Sequence, residues 1–408
     1  MMDMFNSTFK SIAPLISDEE REIYEIVTLV VISSAIGLFG LGANIINIIV
    51  FARQGLNNTV NIGFVGLAIS DIVSLVTIEW YCISFNPLFI NSDINFFPPD
   101  VQHLSGGHPH GCFARITAWV TAYITFERCL CITFPLKVKQ ILTPRRTLLI
   151  LVAIYFFVML PLLPEYATAY VGLKYFPFLN KTLYGLVFTS DRYKVENLSF
   201  LLYAILMFVS FVAVVIFTAV LVVNLNKKSQ WRQKSTFDST QSETISKRDR
   251  ATVKTVIVIA SVLIINFTPT VAFYTGVFIV PEFSITGVNR NLFLVSAAFC
   301  FIFDTVNSSV TIISYYTMSS KFRQTFHELF SLCLRKKELW KDDIVFKTNL
   351  RKSDAVSNTE IWKGDAVFKT KLWKVDAVSK TKLWKGYTVS KTELGKDDGI
   401  SRKIILSQ

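Results

Sequence analysis

A chain of 408 residues that is 51% hydrophobic, carries 35 Phe and is only 18% charged is too apolar for a soluble globular protein. Its formal net charge of +12 gathers in short segments between long apolar runs, so it reads as a membrane-topology signal rather than as a footprint for nucleic acid. The composition points to an all-α, multi-span membrane protein, with lipid as an obligatory partner.

Taken in chain order, residues 1–26 are polar, include Asp18-Glu19-Glu20 and offer no cleavable signal, so they are expected to form an extracellular N-terminus. Asn6 lies there in an Asn-Ser-Thr glycosylation triplet. Apolar runs follow at Val27 to Phe51, Val60 to Ser84, Cys112 to Phe126, Leu148 to Ala169, Leu198 to Val223, Val253 to Val280 and Leu292 to Met318. Most reach the roughly 20 residues that a helix needs to cross ~30 Å of hydrocarbon. The third is the weakest, because Leu104-Ser-Gly-Gly-His-Pro-His-Gly precedes it and Arg115 interrupts it. It is expected to be a helix that turns its polar lead-in toward the bundle.

Lys and Arg set the orientation. Arg53 marks the first connection, Lys137, Lys139, Arg145 and Arg146 the third, and Lys227, Lys228, Arg232, Lys234, Lys247, Arg248, Arg250 and Lys254 the fifth. Positive residues stay cytoplasmic, so the N-terminus is expected outside and the C-terminus inside a plasma-membrane protein. Asn180 and Asn197 then offer further glycosylation triplets on the outer side. None of the six cysteines falls in the outer loop between the fourth and fifth runs, so no disulfide can reach that loop; a Cys82 to Cys112 bridge is conceivable. His103, His108 and His110 alternate near Cys112 in a predicted outer loop, where they could ligate a metal or simply be solvated, and no further ligand is assured.

Within Ile124-Thr-Phe-Glu-Arg-Cys-Leu-Cys-Ile-Thr-Phe-Pro-Leu136, Glu127 and Arg128 stand side by side near the end of an apolar stretch. Ionised groups at membrane depth are costly and need a position or a purpose. With Pro135 in the following connection, this stretch resembles the Asp/Glu-Arg-Tyr motif and loop proline of the rhodopsin-like G-protein-coupled receptor family, Cys129 standing for Tyr. Other family marks fall in order: Asn44 of the first helix, Leu67-Ala-Ile-Ser-Asp71 of the second, Thr117 in the third, and Asn307 with Ser308 in the seventh. The resemblance covers roughly Val27 to Phe330 and is nearest to invertebrate chemosensory and neuropeptide receptors.

The resemblance implies a seven-transmembrane helix bundle that couples an extracellular peptide or small-molecule ligand to a heterotrimeric G protein. It implies that Arg128 is held by acidic neighbours at rest, with Asp249 as the partner on the sixth helix. Asp71, Asn44, Thr117, Asn307 and Ser308 would form a polar core, either holding a sodium ion at Asp71 or leaving Asp71 neutral and hydrogen-bonded. Several positions depart from the family: Phe267 replaces the Trp before the kinking Pro269, and Thr311-Ile-Ile-Ser-Tyr315 keeps only the Tyr of Asn-Pro-x-x-Tyr. The fourth run lacks the family's Trp, the fifth its Pro, and the third its outer Cys.

Glu79, Arg115 and Asp304 fall in the outer half of their spans and are the pocket residues expected to meet a ligand, Arg115 pairing with Asp304 or Glu79 either for that purpose or as a purely structural pair. Phe322, Phe326, Leu329 and Phe330 recur at helical spacing, an amphipathic eighth helix with Cys333 as a palmitoylation site; the receptor domain is thus expected over 27–333. Residues 334–408 repeat every eleven residues around the consensus Trp-Lys-x-Asp-Ala-Val-Ser-Lys-Thr-x-Leu and read as a disordered cytoplasmic tail. No Lys in Leu292 to Met318 could hold retinal, and no nucleophile, phosphate loop or metal set supports an enzyme. A transporter or channel is the alternative class, but neither pathway charges nor a repeated span supports it.

Overall fold

A computed structural model describes residues 15–234, 240–284 and 287–331; the side chains at 135, 136, 139, 193–197, 200, 228–234 and 240–250 are outside that description. Asn6, Cys333 and the eleven-residue repeats lie outside the described residues. The described part belongs to one compact unit, Met1–Ser331.

Helix α1 runs over Asp18–Gln54, nine residues further out than its apolar run. Ser17 starts it with a capping box, its hydroxyl accepting from the Glu20 N–H at 3.2 Å while Glu20 accepts from the Ser17 N–H at 2.9 Å. Over Ile26–Ser33 the turns widen to π-helix, and the Leu29 carbonyl accepts from Cys82 Sγ at 3.0 Å. Gly55, at φ 96°, ends the helix in a conformation that L side chains rarely adopt. Asn58 then caps α2, Thr59–Ser84, through the Val60 N–H.

Helix α3, His108–Thr133, follows two short helical turns at Pro98–Gln102 and His103–Gly107. Helix α4 spans Pro144–Thr168. A hairpin of β1, Ala169–Phe176, and β2, Lys181–Phe188, leads to α5, Arg192–Lys234. Helix α6, Thr240–Ile279, contains Pro269; α7 spans Arg290–Met318, and α8 covers 320–331.

In space α1 packs on α2 and α7, α5 and α7 each pack on α6, and α3 touches α2, α4, α5 and α6. This hub position explains why α3 looked weak in sequence. Among the described residues six helices are long and apolar enough to cross a membrane, and α3 is not among them. Yet its 26 residues would rise ~39 Å, and sixteen of them are buried. Its polar groups face other helices, so it does not need a lipid-compatible surface.

The α1 contact depends on small residues. A Cβ on Gly40 would stand 2.1 Å from Ser309 Oγ, 2.8 Å from Leu75 Cδ1 and 2.9 Å from Ser309 Cβ, so only glycine permits this approach. The hairpin is fastened without a disulfide. Phe97 N–H donates to Tyr184 O at 2.8 Å, Tyr184 N–H donates to Asn95 O at 2.9 Å, and Asp100 Oδ2 accepts from Lys174 Nζ at 3.1 Å and Leu186 N–H at 3.0 Å. Asn180 sits exposed in its turn. Cys82 and Cys112 are both free: Cys82 Sγ is turned to α1, whereas Cys112 Sγ donates to Val158 O of α4, so the conceivable bridge between them does not form.

Candidate functional site

Three polar groupings lie along the axis of the bundle. The central one is built where α1, α2, α3 and α7 meet. Asp71, fully buried, accepts at Oδ1 from Thr117 Oγ1 at 2.9 Å and from Ser308 Oγ at 3.0 Å. Ser70 Oγ stands 2.9 Å from the same Thr117 hydroxyl. Asn44 Nδ2 donates to Ser308 O at 2.7 Å and to Gly40 O at 3.0 Å, tying α1 to α7. Asn47 donates to Asn44 Oδ1 at 3.2 Å and to Thr311 Oγ1 at 3.3 Å. Asn307, next to Ser308 in sequence, is also buried.

Of the five residues grouped from sequence, Asn44, Asp71, Thr117, Asn307 and Ser308, hydrogen bonds join all but Asn307 in the structure. The sequence reading missed Asn47, Ser70 and Thr311. Asn47 was visible as a second amide one turn after Asn44, a spacing that places both on one helix face. Asp71 Oδ2 finds no protein partner. A buried carboxylate oxygen without a hydrogen bond, on a carboxylate whose other oxygen meets two hydroxyls, fits a small hard cation such as sodium.

At one end of α3, Glu127 is fully buried and accepts from Arg128 at 2.7 Å. Only one oxygen and one nitrogen of this pair meet; Glu127 Oε2 and Arg128 Nε have no protein partner. Cys129 Sγ donates to Phe217 O of α5 at 3.2 Å, filling the contact position next to the Arg. Pro135 opens the short helix Pro135–Ile141, and Asp249 belongs to α6, its side chain outside the described residues. Tyr315 is buried, its ring 4.8 Å from both Phe51 and Phe64 and 5.6 Å from Phe322 of α8. Tyr315, Phe51 and Phe64 line a cavity of about 560 Å³ that also reaches Thr255 of α6 and Lys321 of α8.

Midway, Phe267 is buried against Ala118 and Ala122 of α3 and Met207 and Val214 of α5, two residues before Pro269. Pro269 has no N–H for the carbonyl one turn earlier, so the α6 ladder is interrupted there.

Toward the hairpin end, Arg115 is 6% exposed and is held by Tyr203 O at 3.1 Å, Gly111 O at 2.5 Å and Tyr274 Oη at 2.7 Å. Its guanidinium lies 4.6 Å from the Tyr203 ring centre and 5.5 Å from that of Tyr274. The expected ion pair with Glu79 or Asp304 is absent: among the described residues no carboxylate comes within 4.0 Å of Arg115. The carbonyl of α5 and the hydroxyl of α6 draw the side chain away from α7. Glu79 instead accepts from Ser34 Oγ of α1 at 2.8 Å, and Asp304 is buried with Oδ1 unpartnered.

The histidines also need correction. His110 is no loop residue but a buried one on α3, its Nδ1 3.1 Å from Ser74 O. His108 Nε2 lies 3.5 Å from Glu165 Oε2, which also meets Arg192, and the His103 and His108 rings are 4.6 Å apart. Among the described residues no three His, Cys, Asp or Glu gather as a metal site.

Comparison with known proteins matches residues 31–333 to the serpentine type 7TM GPCR chemoreceptor Srw. The chain is also similar to the galanin-like G-protein coupled receptor npr-9 of Caenorhabditis elegans, 28% identical over 144 residues. That alignment spans 33% of this chain and 30% of the relative's length. The matched span takes in most of α1, all of α2 to α8 and about three-quarters of the sequence: the chain belongs to the serpentine Srw chemoreceptor family of seven-transmembrane G-protein-coupled receptors.

Proposed function

We propose that this chain is a plasma-membrane receptor, N-terminus outside and C-terminus in the cytoplasm, that passes the binding of an extracellular small molecule or peptide to a heterotrimeric G protein. The observation that carries the reading is the Glu127–Arg128 pair on the hub helix, its carboxylate fully buried and the pair only half satisfied. A guanidinium with a free edge can exchange its carboxylate for the backbone carbonyls of an entering partner. Helix α3 serves as the seventh span.

In this reading Asp249 shares Arg128 at rest, and α6 swings at Pro269 beneath Phe267 when the ligand binds, parting Asp249 from α3 and exposing Arg128. Tyr315, packed on Phe51 and Phe64, holds α7 against α1 and α2 while this happens. Asp71, Thr117 and Ser308 hold a sodium ion, with Asn44 and Asn307 completing the polar core. The ion supplies the positive charge that the buried carboxylate lacks. Helix α8 lies on the inner leaflet with Cys333 palmitoylated, and Asn6, Asn180 and Asn197 carry glycans. The chemoreceptor name of the family supports a small-molecule ligand, and the galanin-like name of the relative supports a peptide.

The test is G-protein activation in cells displaying the receptor, challenged with pooled small molecules and pooled amidated peptides. A response from either pool, lost in Arg128→Ala at equal surface display, is expected. A response that survives in Arg128→Ala, or silence from both pools at verified display, counts against the reading.

A further inference from the structure

Arg115 and Asp304 are opposite charges buried in one bundle that do not pair. Of the five N–H donors that a guanidinium carries, Arg115 uses three, on two carbonyls and a hydroxyl. None of those acceptors bears a charge, so the cation is oriented but not neutralised. Asp304, 8% exposed, leaves Oδ1 without a protein partner. Its place in the bundle is fixed through Phe301, one turn earlier on the same face of α7, whose ring lies 5.2 Å from that of His110 on α3. His110, 2% exposed, likewise leaves Nε2 unpartnered. Unpartnered polar atoms thus stand on both α3 and α7, which the contact between the His110 and Phe301 rings brings together.

Burying two ions is ordinarily offset only by closing the pair with good geometry. Here the Arg115 head is drawn by Tyr203 and Tyr274 toward α5 and α6, which keeps the pair open. A ligand with a single charge completes one group and leaves the other bare. We infer, resting on the receptor reading above, that the ligand is a small amphoteric molecule of the amino-acid class, its anionic group on Arg115 and its protonated nitrogen on Asp304.

The test uses the purified full-length receptor in lipid nanodiscs, with thermal melting as the readout. The probes are the free proteinogenic amino acids, each accompanied by its decarboxylated amine and its deaminated acid. The expected result is that at least one amino acid raises the melting temperature by several degrees, that its single-charge counterparts do not, and that Arg115→Gln and Asp304→Asn each abolish the shift. A single-charge counterpart that matches its amino acid, or no shift from any amino acid, overturns the proposal. Melting without ligand supplies a second arm: Asp304→Asn is expected to match or exceed the wild type. A drop of several degrees that Arg115→Gln cancels in the double variant means that the charges serve each other structurally, and also overturns it. An amino acid that binds this way but activates no G protein sinks the receptor reading alone.

Discussion

At the scale of single residues, what stands out is the number of half-used polar atoms on the bundle axis. Asp71 is the clearest, with two hydroxyl donors on Oδ1 and none on Oδ2. If a cation occupies that side, sodium binds the folded state and stabilises it by mass action, by about 2.7 kcal/mol at a hundredfold excess over Kd. The receptor should therefore melt several degrees higher in sodium chloride than in N-methylglucamine chloride at equal ionic strength. Asp71→Asn should erase the difference; an unchanged sodium shift in that variant would place the ion elsewhere. Glu127 allows a second prediction. It is fully buried and holds Arg128 by one contact, so Glu127→Gln keeps the shape and removes the charge. Basal G-protein activation should rise several-fold, whereas Arg128→Ala should lie at background. Equal basal signalling in Glu127→Gln and wild type would mean that Glu127 does not restrain the arginine.

At the scale of elements, close approach and capping explain what side-chain hydropathy cannot. Gly40 lets α1 rest directly on Ser309 and Leu75, and rotating the serine hydroxyl away would still leave Ser309 Cβ and Leu75 Cδ1 too near. Gly40→Val should thus part α1 from α7 and break the Asn44 bond to Ser308 O, at a cost of about 1–3 kcal/mol for overpacking. Fluorescence-detected size exclusion should show loss of monodisperse receptor; a normal elution profile would contradict the tight contact. The hairpin offers a different lever. With no cysteine to anchor it, Asp100 holds β1 and β2 through Lys174 and the Leu186 N–H. Asp100→Ala should speed amide exchange over Ala169–Phe188 by about tenfold, from the loss of the hydrogen bond to the Leu186 N–H, with the exposed Lys174 pair adding little. Hydropathy located the seven helices but not this hairpin, because its strands are largely exposed and carry neither a buried face nor a long apolar run. Helix ends were equally hidden: α1 begins at a capping box, a polar signal that lies outside the apolar run.

For the molecule as a whole, the sequence disclosed most where groups were buried in familiar motifs and least where a residue's meaning depended on which neighbour it met. Asp71, Asn44, Thr117 and Ser308 could be grouped in advance because each has one place in a bundle of this kind. Arg115 could not be assigned a partner, since only the folded chain shows that Tyr203 and Tyr274 capture it before any carboxylate does. The same dependence governs α3. Its histidines, Arg115, Glu127 and Arg128 make it the weakest of the seven runs in sequence, too polar to rank with the six apolar spans, yet in the bundle it is closely enclosed, in contact with α2, α4, α5 and α6. Transfer of a single Arg to the centre of an isolated span costs roughly 2.5–3.5 kcal/mol on insertion scales. Residues 108–133 alone should therefore fail to insert when placed in a carrier protein and translated with microsomes, whereas α2 and α4 in the same carrier should insert efficiently. Glycosylation tags on either side of the segment report the outcome. In a longer chain carrying α1 to α5, α3 should reach its spanning position, because its polar face then meets α2 and α5 rather than lipid. Autonomous insertion of residues 108–133 would show that lipid tolerates this helix and that burial in the bundle is not what holds its charges in place.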